Sequence, residues 1–261
     1  MMIKRLVLPF LTMSLLLFSA SRSSAQTPDN SKILDSITAA LTSADTAFYA
    51  DFATDTLDEW QTNMDEALKD YQAALDLINA NKDSPDFAND PDLTTLRTDE
   101  YRALAGKART ESRQLQVLST AYPSQNPGSD LIMSNMKTLT LADTQPVIAD
   151  LQAAATLGET FATPPFELAW VYASWGAVLY PGLPANALFF TLTDSSVDSQ
   201  YQAYLLFGKA ADVFRAHPEQ YPDTFDGGLQ SALRDQARIA GELGRSAWAD
   251  HSGKTAGFTD V

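Results

Sequence analysis

The sequence predicts an all-α protein, an array or bundle of about eight helices built as consecutive antiparallel α-hairpins. Two observations predict it. Apolar residues recur at three- and four-residue spacing along nearly the whole chain, and no stretch alternates as a half-buried strand would. The segments between the periodic stretches are mostly short and carry proline, glycine, asparagine and aspartate, the residues that close turns.

The chain opens differently. Lys4 and Arg5 precede an apolar run over 6–18, and small residues follow, ending with Ser23 and Ala25. Basic, apolar, then small-x-small is the layout of a secretory signal peptide. The apolar run is shorter than the roughly 20 residues a spanning helix needs. The expectation is a signal segment over 1–25, export to a periplasm or the exterior, and a mature chain starting at Gln26. No later stretch is apolar enough to span a bilayer, so no integral membrane segment is expected after cleavage.

The helices follow in order. Leu34, Ile37, Leu41, Ala44, Phe48 and Phe52 mark the first stripe. Thr56 and Glu59 have capping-box spacing, and Leu57, Trp60, Met64, Ala67, Tyr71, Ala74 and Ile78 run down one face after them. Asp90-Pro91 starts a long helix, an acid at the cap and a proline where a missing amide costs nothing. That helix carries Leu93, Leu96, Leu104, Ala108, Leu115 and Leu118 and ends before Pro123. The stretch 122–130 is the strongest loop signal and the best internal sub-boundary of a single helical domain over 26–250. A short helix is expected at 131–139, then one capped by Thr144 and stopped by Gly158. Pro164-Pro165 opens a helix that is apolar on every side, which predicts burial on every side. Residues 187–192 add an apolar turn, 198–216 and 228–249 form the last two helices, and 251–261 reads as a flexible tail.

Composition excludes several functions. The formal net charge is −15, with 25 Asp, 8 Glu and only 8 Lys. Such a surface repels phosphates, so nucleic acid is not an expected partner. The absence of cysteine removes disulfides, thiolate metal sites and a cysteine nucleophile. His217 and His251 are the only histidines, and His217, before Pro218 at a helix end, is placed to meet free carbonyls. Asp223, Asp226, Gly227 and Gly228 lack the alternating acids and closing glutamate of a calcium loop. They also lack the strand and lysine of a phosphate loop. No cofactor, metal or catalytic residue is expected.

Two features invite a ligand. Arg102, Arg109 and Arg113 share one side of the long helix, with Lys107 nearby, and could grip an anion through paired hydrogen bonds. The alternative is that they neutralise an acidic neighbouring helix. Phe166, Trp170, Tyr172, Trp175 and Tyr180 form a dense aromatic segment that either packs a core or lines a pocket. Trp170 and Trp175 are five apart and point about 140° away from each other, so they cannot face a single neighbour.

Ala67, Tyr71 and Ala74 have the small-aromatic-small spacing of a second helix in a tetratricopeptide repeat. Tyr201, Ala210, Phe214 and Pro222 resemble the same positions, with His217 where that repeat has a small residue. On these residues the chain resembles tetratricopeptide-type helical-hairpin proteins. It departs from them in lacking the Trp-Leu-Gly signature of the first helix, and the two segments are not separated by whole repeats. The resemblance implies a stack of helical hairpins and nothing about partners. The helix over 170–176 also resembles, more faintly, the helical subunit of tripartite solute transporters. The functional expectation is therefore a non-enzymatic binding or assembly protein for a peptide, protein or small organic ligand. An accessory solute-binding component of a transporter is the first alternative, and a carboxylate-dependent hydrolase the second.

Overall fold

The computed structural model describes residues 28–50, 57–84, 87, 90–117, 138–180, 191–192, 196–220 and 228–256. These residues are almost wholly helical. In chain order they form α1 (Pro28–Ala50), α2 (Leu57–Asn81), α3 (Asp90–Val117), β1 (Thr138–Leu139), α4 (Leu141–Gly158), α5 (Glu167–Leu179), β2 (Thr191–Leu192), α6 (Val197–Ala216), a 3-10 turn (Pro218–Gln220) and α7 (Gly228–Ala256). β1 and β2 pair in parallel over two residues each. The fold is all-α.

Each helix packs on the next in sequence, and α3 also touches α1 and α5. Leu34, Ile37, Leu41, Ala44 and Phe48 of α1 are buried, and so are Trp60, Met64, Ala67, Tyr71, Ala74 and Ile78 of α2. The apolar stripes read from the sequence are the faces that meet. With Leu96 and Ala103 of α3 they make one core. Tyr101, Ala105 and Ala108 on other sides of α3 enter a second core with α4 to α7, and Leu104 touches both. Helix α3 can serve two cores because its middle is small. Alanine and glycine let a neighbour approach from more than one side. Leu93, expected on its apolar face, is exposed.

Helix α5 matches its all-round apolar composition. Glu167 is its one exposed residue, and α3, α4 and α6 pack around it. Contacts between neighbouring helices pair residues in opposite sequence order. Asp65, Tyr71 and Lys82 meet Gln114, Gly106 and Glu100. Tyr101 and Lys107 meet Gly158 and Asp150, and Trp170 and Gly176 meet Phe214 and Phe207.

Three local expectations change. The cap of α4 is Thr140, not Thr144. Thr140 and Asp143 form a reciprocal capping box, and Pro146 is tolerated inside the helix. Thr144 lies within it, fully buried, its hydroxyl donating to the Leu141 carbonyl. Thr138 and Leu139 are the β1 pair, not the end of a helix, while 131–137 lies outside the described residues. Helix α7 runs through His251 and Gly253 to Ala256, residues the glycine punctuation assigned to a tail. The signal segment over 1–25, Thr56 and the loop over 122–130 also lie outside the described residues. None of the described helices is long and apolar enough to cross a membrane.

Candidate functional site

A cleft of about 470 Å³ opens where α4, α5 and the start of α6 converge. Helix α4 contributes Leu141, Gln145, Ile148 and Gln152, which share one face because they are spaced by four, three and four residues. Trp175 and Leu179, one turn apart, come from the end of α5. Ser196, Asp198, Ser199 and Gln202 come from the first turns of α6. The capping box of α6 sets that last group. The Ser196 hydroxyl accepts from the Ser199 amide, and the Ser199 hydroxyl accepts from the Ser196 amide.

The lining divides by chemistry. Ile148 and Leu179 are buried and form an apolar floor with Leu141. Gln145, Gln152 and Gln202 are exposed around it. Each amide offers two donors and a carbonyl acceptor. Trp175 packs partly into the core behind the cleft. Its indole nitrogen is buried with no hydrogen-bond partner among the described residues, so packing alone orients the ring.

Of the five aromatics singled out in the sequence, only Trp175 lines this cleft. Phe166 and Trp170 both meet Phe214 edge-on, at centroid distances of 5.6 and 5.0 Å. Phe166 also meets the ring of His217, whose Nε2 lies 2.7 Å from the Pro164 carbonyl. His217 therefore ties the end of α6 to the segment opening α5. The Tyr172 hydroxyl donates to Glu159. Lys209 bonds the same carboxylate at 2.9 Å and lies 5.0 Å from the centre of the Tyr172 ring. Tyr180 is buried in the second core. The segment is an aromatic hub that contacts several helices, not one pocket.

Two of the three arginines meet α1. Arg102 bonds Asp45, and Arg109 lies over the Phe48 ring at 5.3 Å. Arg113 is half-buried further along α3. Lys107 is turned to α4, where it bonds Asp150, and it also bonds Glu111 at 3.0 Å. Burial, then a hydrogen bond with Asp150, pushes the Glu111 carboxyl up to about 7, against the pull of Lys107. Burial pulls the Lys107 ammonium down, but its bonds to Asp150 and Glu111 outweigh that and raise it. No group of three metal-ligating side chains occurs among the described residues.

Sequence reasoning missed the glutamines and serines of the cleft. One signal was present: Gln145 and Gln152 stand two turns apart on one face of α4. Nothing in the sequence joins them to Gln202. No known family, curated protein or solved structure matches this chain.

Proposed function

We propose that this is an exported, non-enzymatic binding protein, a stack of antiparallel helical hairpins that takes a small organic ligand or peptide segment in the α4–α5–α6 cleft. The stack reading is supported by the reversed contact order between neighbouring helices and by the packing of α1 on α3 and α3 on α5. Those are the contacts made when hairpins of tetratricopeptide type stand side by side.

One observation carries the binding reading. The cleft combines about 470 Å³ of space with an apolar floor and the amides of three glutamines around it. That volume lies within the range of small-molecule sites, and most of the lining side chains are polar ones that can pair with a ligand's own donors and acceptors. A thermal-shift panel of neutral metabolites, sugars and short peptides tests it. A true ligand at about a hundred times its dissociation constant adds about 2.7 kcal/mol to the stability of the native state. The rise should vanish in a Gln145→Ala, Gln202→Ala double variant. A rise of equal size in the variant, or none with any compound, overturns the reading. Export has its own test: intact mass of the protein secreted by a native-like host should begin at Gln26.

A further inference from the structure

Helix α6 turns a second surface outward beside the cleft. Val197, Tyr201 and Leu205, each one turn after the last, are 59%, 53% and 47% exposed. Tyr201 stacks on Tyr204, with ring centroids 6.2 Å apart and planes 13° from parallel. Asp198 and Gln202, the residues next to Val197 and Tyr201, line the cleft. Asp198 lies three residues before Tyr201, so the face of α6 that carries Tyr201 adjoins the cleft rim and offers a route out of it.

We propose that this route binds a neutral oligosaccharide, a reading that rests on the cleft being a ligand site. Charge argues first. None of the described lining residues is Lys or Arg, Asp198 is among them, and the chain carries a net −15. An anionic ligand would meet repulsion and no counter-charge. Chemistry argues second. A pyranose ring has apolar C–H faces and a rim of hydroxyls, each both donor and acceptor. Aromatic rings offer broad apolar surfaces for the faces, while glutamine amides donate and accept around the rim. Extent argues third. Tyr201 stands outside the cleft, where a single sugar held inside would not reach it but a longer chain would. An extended proline-rich peptide also docks on exposed aromatic rings, and the peptides of the panel below test that competing occupant.

The test uses the full chain and isothermal titration with cellohexaose, maltohexaose, xylohexaose and mannohexaose, each matched by its disaccharide. Oligogalacturonate and a set of uncharged hexapeptides complete the panel. At least one neutral hexasaccharide should bind, and oligogalacturonate should not. Gln202→Ala should weaken that binding about tenfold or more. Tyr201→Ala should weaken the hexasaccharide but leave the matching disaccharide unchanged. Gln202 and Tyr201 are exposed, so both variants should keep the parent's circular dichroism. No binding by any neutral hexasaccharide, or equal binding by parent and both variants, overturns the proposal. Peptide binding that Gln202→Ala abolishes, without sugar binding, removes the oligosaccharide and leaves the cleft reading standing.

Discussion

The ring of Tyr71 lies against the backbone of Gly106 so closely that a β-carbon at Gly106 would stand 2.3 Å from its carbons. The ring is also tied down. Its hydroxyl donates to Asp45 at 2.6 Å, and Arg102 bonds the same carboxylate. Asp45 of α1, Tyr71 of α2 and Arg102 of α3 therefore join three helices at one point.

Gly106→Ala should destabilise the protein. Overpacking a well-filled contact costs about 1–3 kcal/mol, more than the roughly 1 kcal/mol that alanine gains over glycine in a helix. Thermal denaturation should show a lower Tm. In a Tyr71→Leu background the same substitution should cost less, because the obstructing ring is gone, and a double-mutant cycle measures the difference. An unchanged or higher Tm for Gly106→Ala would mean that α2 and α3 do not approach this closely.

Arg102→Gln should cost only about 0–1 kcal/mol, the usual worth of an exposed ion pair. Asp45 keeps its bond from Tyr71 in the variant. With Arg102 on Asp45 and Arg109 over Phe48, citrate should shift the Tm of parent and variant equally. A citrate response confined to the parent would instead identify the arginine stripe as an anion site.

The Glu111 carboxyl sets a pH dependence. Its folded value of about 7 stands above the ordinary 4.5, chiefly through burial, so the native state binds this proton more tightly than the unfolded chain does. Its contribution is complete below 4.5 and is lost as the pH rises through about 7. Glu159 runs the other way. Bonds from Tyr172 and Lys209 hold it below its ordinary value, so its contribution is present above that value and lost as the pH falls. Glu111→Gln should raise the Tm near pH 8 while changing it little near pH 5. A variant that follows the parent's profile at both ends would remove Glu111 as the source.

Tyr101 is buried, yet its hydroxyl has no hydrogen-bond partner among the described residues. Leaving a buried polar group unpaired costs about 1–3 kcal/mol. Tyr101→Phe removes that group and keeps the ring that meets Phe161 edge-on at 5.6 Å. Denaturant unfolding should therefore find the variant as stable as the parent or more so. A clear loss of stability would reveal a partner for the hydroxyl.

Much of the helical framework was legible because helix formation is local. The stripes from Leu34 to Phe48 and from Trp60 to Ile78 are repeats of three and four residues, and each became a buried face. The all-round apolar composition of 167–179 marked a surrounded helix for the same reason. The cap of α4 was misplaced because two threonines, Thr140 and Thr144, stand four apart, and threonine is a good cap at either position. What separated them was burial. Thr144 lies inside the fold, and Thr140 is free to bond Asp143.

The sequence by itself determined the helical periodicity, the formal net charge of −15, the lack of cysteine and the presence of three arginines on one side of α3. Only the tertiary structure decided what stands opposite each of these. Asp45 lies 57 positions from Arg102, and no local pattern links them. The same holds for the cleft, where Gln145 and Gln202 belong to helices that both pack on α5 in the second core. Glutamines are common on helix surfaces, so none is distinctive alone. Packing, which buries Ile148 and Leu179 and leaves three amides around them, selects the ones that share a space.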